Sequence, residues 1–474
     1  MSNFIMKKKL VLLLLVFAHG VLHAQTWQDT TVLVEKIFEK YKQTNPGCQL
    51  AISRHGKIVF SRAWGMANME QQVPLTRESV IEAGSVSKQF TAAAILLLEQ
   101  AGKLSLNDNV RKYIPELPDY GTPITLRHLM QHTSGIKDWG SLMALSDWPR
   151  GSKTYSNNDV LYLLSHQRTL NHQPGDEFLY SNSNYVLFSI IVERLSKMNL
   201  AEFTKINIFD PAGMKHTQWR NSLNKVVPNR ATAYGKEGNI YFTDMPNETV
   251  YGNGGLLTTA EDLLAWNHYY LSGKLGNPSL LPKQLSKTAL NSGRMNKYSA
   301  GLRIDSINGW NVIFHDGATA GYRANLEYYP ELDLSIAWLA NTSEFDGSPD
   351  GTAELRNLLV KTKSSGYQSQ KNEFMMGSSR IEVPPIVKPQ ALNDYVGDYY
   401  SDEVEAKLKI TVTDGKLIIH RYSNVDYTLI PVYKDAFKIQ NSSVIVHFNR
   451  IKNNKVSNLK FTTARVRNVL FKKQ

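Results

Sequence analysis

Only one of the 474 residues, Cys48, is a cysteine. An intramolecular disulfide is therefore excluded, and the chain must be held by its core alone, with Cys48 expected as a small buried apolar residue. Long apolar runs are equally scarce. The one that stands out follows Lys7, Lys8 and Lys9, spans 10–17, and gives way to small residues ending near Ala24. It is too short to cross a bilayer and reads as an export signal cleaved after Ala24, so the mature chain is expected outside the cytoplasm, periplasmic or extracellular. No His/Cys cluster has metal-ligand spacing, no glycine-rich phosphate loop occurs, and no Gly-x-Ser-x-Gly elbow is found. Zinc modules, P-loop enzymes and α/β-hydrolases are thereby set aside, and neither a metal nor a cofactor is expected.

Acidic charge is thin at one end of the chain. Without the leader's three lysines, 51 basic and 42 acidic side chains remain, a formal +9. From Arg450 onward there are eight basic residues and no acidic one. Such a tail suits peripheral attachment to an anionic envelope lipid or polymer, or is simply a solvated face. No nucleic-acid module accompanies it.

What is present is a chain with 42% hydrophobic and 10% aromatic residues, enough for more than one core. Two alternating runs, Cys48–Arg54 and Lys57–Trp64, flank His55 and Gly56 and predict a hairpin. A second β block follows far downstream at 310–315, Tyr322–Tyr329 and Leu334–Ala340. Helical patterns fill the interval at 126–131, 159–165, 184–195 and Ala260–Leu271, the last capped by Thr259, and a final helix is expected at 353–360. Strands at both ends and helices between them predict an α+β domain over 25–360, an antiparallel sheet flanked by helices with a helical lobe and a cleft between. Residues 361–390 read as a Ser, Lys, Gln and Pro-rich linker. Strict two-residue alternation over 391–474 predicts a separate small all-β barrel.

The motif that carries chemistry is Ser-x-x-Lys. It occurs four times, beginning at Ser85, Ser134, Ser222 and Ser457, but only Ser85 opens a long apolar helix. Residues three apart share a helix face, so the Lys88 amine can reach the Ser85 oxygen beside free first-turn N–H groups. A desolvated lysine loses proton affinity and becomes a base able to activate a serine.

The segments "PGCQLAISRHGKIVFSRAWGMANME", "GSVSKQFTAAAI", "LRHLMQHTSGI", "PGDEFLYSNSNYVLFSIIVE", "IFDPAGMKHT", "GGLLTTAEDLLAW" and "HDGATAGY" occur in the order found in serine β-lactamase-related hydrolases, which the chain resembles over 27–360. That group includes class C β-lactamases, D-alanyl-D-alanine peptidases, D-aminopeptidases and esterases. The tail resembles, more faintly, the lipocalin-like domain appended to some members. The resemblance implies an amide or ester hydrolase working on a small-molecule or peptide substrate through a Ser85 acyl-enzyme, with Lys88 as base. Tyr-Ser-Asn occurs at Tyr155, Tyr180 and Tyr422, but only Tyr180 follows "PGDEF", so Tyr180 and Asn182 match the second motif. Tyr180 is expected partly as phenolate, sharing the serine proton. Asn182 is expected to bind substrate. The third motif departs: His315, Asp316 and Gly317 stand where Lys-Thr-Gly is usual. The lost lysine argues against efficient β-lactamase activity. The resemblance implies a D-amino-acid-containing peptide of cell-wall type as the substrate, with an esterase, a weak β-lactamase or a non-catalytic envelope-ligand or penicillin-binding protein as alternatives. His315 and Gly317 are expected to line the substrate site. Ala318 N–H would form the oxyanion hole with that of Ser85, and Arg323 is a candidate replacement charge.

Overall fold

The computed structural model describes residues 27–39, 41, 43–148, 151–344, 349–363, 391–421 and 425–474. The expected leader, most of the expected linker and the Tyr422 motif lie outside the described residues. Six antiparallel strands form the central sheet in the order Arg303–Ile307, Trp310–Thr319, Tyr322–Tyr329, Leu334–Ala340, Cys48–Arg54 and Lys57–Trp64. The predicted hairpin is there, and it joins the downstream block through strand 334–340, with Leu50 opposite Trp338 and Ile52 opposite Ile336. Strand 334–340 is buried at every residue because both sheet faces are covered. On one face Val34, Phe38, Leu355 and Leu359, from helices Trp27–Phe38 and Pro349–Leu359, pack on Leu50, Ile52 and Trp338. On the other, Ala51, Ala337 and Leu339 meet the large core that holds helices Lys88–Gln100 and Ala260–Leu271. There the rings of Phe90 and Trp266 lie 4.6 Å apart. Cys48 is fully buried.

Two elements differ from expectation. The strand Arg303–Ile307 lacks clean alternation, being half-buried throughout, and gave no signal. The helix after Ser85 starts later than the apolar run: Gly84–Ser87 is a 3-10 turn, and the α-helix begins at Lys88.

The C-terminal region is a closed barrel of eight sequential antiparallel strands, from Gly397–Ser401 to Val469–Lys473. Its interior is set by the two-residue period: Leu408 and Ile410 are buried while Lys407 and Lys409 are exposed. One end is plugged by Tyr395, Tyr399, Phe437 and Phe448, whose rings pack at 4.7–6.1 Å. The loops of the other end rest on the hydrolase domain. Arg467 grips Glu177 through two bonds of 3.0 and 2.9 Å, and Arg421 donates to the Ala144 and Ser146 carbonyls. Much of the basic tail is thus engaged within the chain itself, since Arg450 also pairs with Asp394 and Asp435. No helix among the described residues is long and apolar enough to cross a membrane.

At the centre of this contact Lys137 and Glu403 form an ion pair of 2.9 Å, 0% and 2% exposed. Removing one member strands a dry charge, so Lys137→Ala is expected to lower the unfolding free energy by about 3–5 kcal/mol. Chemical denaturation checks it, and a loss below about 1 kcal/mol would mean that water reaches the pair.

Candidate active site

Ser85 sits in the 3-10 turn where the sheet edge, the helical lobe and the barrel meet. Gly84 has φ +49°, and a Cβ there would lie 2.6 Å from the Ala318 nitrogen. A Cβ on Gly317 would lie 2.1 Å from the Ala83 carbonyl oxygen and 3.0 Å from the Ser85 nitrogen. The two glycines therefore let the nucleophile turn press on strand Trp310–Thr319, bringing the backbones of Ser85 and Ala318 side by side.

Lys88 is fully buried, one helical turn on. Its Nζ lies 3.0 Å from Ser85 Oγ, 2.9 Å from Asn182 Oδ1, and hydrogen-bonds the Asn253 carbonyl. Burial drives its pKa well below the free-lysine value of 10.5, and the Arg465 charge pushes the same way, while Asp138 and Asp316 oppose. A neutral amine has two N–H bonds and one lone pair. With both N–H groups donated to Asn182 and Asn253, the lone pair is left to accept the Ser85 hydroxyl proton.

Tyr180 is half-buried on the cleft wall with its hydroxyl oxygen shut off from solvent, and its ring centre lies 4.9 Å from Lys88 Nζ. Its hydroxyl has no hydrogen-bond partner among the described residues. Burial raises its pKa above the usual 10, outweighing the lowering by nearby Ser85. The phenol is therefore held protonated rather than as the expected phenolate. Behind it lies His132, its ring tilted against that of Tyr180 with centres 4.2 Å apart and its Nδ1 accepting the Ser181 N–H. Asn182 precedes helix Ser183–Ser196 and donates its own N–H to Asp138 at 2.8 Å.

His315 is 1% exposed. Burial keeps it neutral, its Nδ1–H donates to the Asp316 carbonyl at 2.5 Å, and Nε2 accepts from the Tyr298 hydroxyl at 3.0 Å. Both nitrogens are engaged inside the protein, so the ring borders the cleft without offering it a polar atom. Strand alternation explains this: His315 and Gly317 are buried while Asp316 and Ala318 are exposed. Asp316 pairs with Arg303 at 3.5 Å. Arg323 lines the cleft, and its guanidinium donates to the Ala320 and Tyr322 carbonyls.

Further positive charge comes from the barrel. The cleft, of about 980 Å³, includes Arg465, whose guanidinium carbon lies 5.0 Å from the centre of the Tyr180 ring. Asn171 holds the loop in place by donating to the Arg465 carbonyl at 2.9 Å and accepting the Arg467 N–H at 2.7 Å. No local signal marks Arg465 in the sequence, nor Arg303, Asp138 or Asn253. The other Ser-x-x-Lys and Tyr-Ser-Asn matches differ in kind. Lys137 of the Ser134 match is neutralised by Glu403, and the Tyr155 hydroxyl donates to the Trp148 carbonyl. No group of three or more His, Cys, Asp and Glu side chains suited to a metal ion occurs among the described residues.

A buried amine against a serine at the mouth of an α+β cleft defines an enzyme of the serine-hydrolase class. The chain belongs to the Beta-lactamase family, whose model matches residues 34–361. It is similar to a penicillin-binding protein of Bacillus subtilis (strain 168), 27% identical over 88% of this chain and 92% of the relative. Among solved structures, the octameric penicillin-binding protein homologue from Pyrococcus abyssi shares the fold with a TM-score of 0.61 at 21% identity, covering 94% of this chain and 100% of that one. The D-amino acid amidase from Ochrobactrum anthropi SV3, complexed with D-phenylalanine, gives 0.60 at 18% identity, over 71% and 100%.

Proposed function

We propose that this enzyme cleaves an amide or ester bond through a Ser85 acyl-enzyme, acting outside the cytoplasm on a D-amino-acid-containing peptide of cell-wall type. The observation that carries the reading is the Lys88 amine, stripped of water and 3.0 Å from Ser85 Oγ. In acylation the Ser85 proton passes to Nζ as Oγ bonds to the substrate carbonyl carbon, and the oxyanion rests between the N–H groups of Ser85 and Ala318. The C–N or C–O bond then breaks, and the leaving group takes a proton from Tyr180, which is replenished by Lys88. Water repeats the sequence to release the acid. A substrate carboxylate near the scissile bond would be held by Arg465 in place of the missing third-motif lysine. The fold shared with a D-amino acid amidase supports the amide preference. A second reading, an esterase, is favoured by the neutral His315 and the absence of that lysine.

Parallel assays of a D-alanyl amide, a short nitrophenyl ester and a chromogenic cephalosporin, each on wild type and Ser85→Ala, test the proposal. Turnover of the amide that vanishes in the variant is expected. Turnover of the ester alone would replace it with the second reading.

The pH profile gives an independent check. Because the amine is active when deprotonated and its pKa is depressed, kcat/KM is expected to fall only on the acid side, through one group well below 10.5. Tyr180, raised above 10, adds no alkaline limb below that value. Arg465→Ala removes a charge that disfavours protonation of Lys88, so the acid limb should move to higher pH. An unmoved limb would show that the barrel charge does not reach the amine.

A further inference from the structure

We propose that the open end of the barrel is a subsite of the catalytic cleft that receives an apolar alkyl or aryl chain of the substrate, an inference that rests on the hydrolase reading. An eight-stranded barrel is just wide enough for its own side chains to fill it. Here the far end is filled by the aromatic cluster around Phe448, but the near end is hollow. A cavity of about 310 Å³ lies there, walled by Leu408, Ile419, Phe461 and Phe471. That is the lower limit of small-molecule sites, about 300–1,000 Å³.

Position argues that the cavity serves the reaction. Ser141, Ala144, Arg421 and Tyr427 line both the cavity and the catalytic cleft, so the two spaces adjoin at a shared wall. Helix Trp139–Met143, which carries Ser141 and ends before Ala144, is anchored by Asp138, the same carboxylate that holds the Asn182 N–H. A chain entering the barrel therefore leaves its polar head at the wall of the cleft that Ser85 also lines. The chemistry of the walls sets the class: inside the barrel they are mostly aliphatic and aromatic, with polar side chains such as Arg421 and Ser141 at the wall shared with the cleft, and such apolar surface binds hydrocarbon better than water.

The test is a series of p-nitrophenyl esters from acetate to decanoate on the full chain. For wild type, kcat/KM is expected to rise about fourfold per added methylene until the cavity is full. In Ala144→Trp, which obstructs the shared wall, and in Val444→Trp, which fills the cavity from inside, the rise should flatten by at least tenfold across the series. Circular dichroism shows whether the barrel of each variant is folded. Decanoate should compete with the ester in wild type and bind Ser85→Ala, as read by calorimetry. A flat series in wild type, an unchanged rise in both folded tryptophan variants, or decanoate binding without competition would overturn the proposal. Labelling of wild-type Ser85 by a small fluorophosphonate separates the two claims. If labelling fails while decanoate still binds and Val444→Trp abolishes binding, the acyl-enzyme is refuted and the hydrocarbon site survives.

Discussion

Lys88→Met is expected to cut kcat/KM by about 10³–10⁴-fold, the scale of removing a general base that acts together with its nucleophile. Methionine keeps the apolar stem that fills the space beside Tyr180 and Tyr185, so packing is little changed. Stability should move the other way from activity. Between the depressed pKa of the folded state and 10.5, the unfolded chain carries a proton on this lysine that the native chain does not. Unfolding therefore takes up a proton, and the native state gains stability as pH rises across that window. The variant loses this slope, and below the window it should be no less stable than wild type unless the freed Asn182 and Asn253 oxygens cost more than the amine did. Steady-state kinetics with thermal melts at several pH values read both effects. Turnover near wild type would remove Lys88 from the proton path.

Gly317→Ala is expected to cost about 10²-fold in kcat, the scale of an ångström of misplacement or one lost oxyanion donor. Its new methyl would fall 2.1 Å from the Ala83 carbonyl oxygen, a backbone atom that cannot swing aside. Strand and nucleophile turn must separate, carrying the Ala318 N–H away from that of Ser85, with about 1–3 kcal/mol of overpacking strain. Reaction with a fluorophosphonate should slow in parallel. Full activity would show that the two N–H groups need not be held this closely. Tyr180→Phe is a milder test. It removes a hydroxyl with no hydrogen-bond partner among the described residues, so the melt should hold while amide turnover drops about 10²-fold.

The parts legible from sequence were those in which local pattern and tertiary role coincide. Ser85 and Lys88 are neighbours on one turn, and the hairpin Cys48–Arg54 and Lys57–Trp64 alternates as a strand pair must. The alternating C-terminal run closes into a barrel for the same reason. His315 borders the cleft as its motif position implies, but that position does not report its partners: the register that turns Gly317 to the nucleophile turn also turns the His315 nitrogens inward, one of them to Tyr298. Tyr180 shows that a phenol's proton depends on burial, which a tripeptide does not report. Arg465 was illegible because the loop between strands Val456–Thr462 and Val469–Lys473 reaches Tyr180 only after the barrel has closed and docked.

The Lys137–Glu403 bridge has a consequence for how this enzyme can be cut or inherited. A shortened chain ending before the barrel would expose a face shaped for a missing neighbour and would strip the catalytic hollow of one wall and of two cations, Arg421 and Arg465. Neither module is a free accessory, and a foreign barrel would have to bring a carboxylate to Lys137 and arginines to the places of Arg421 and Arg465.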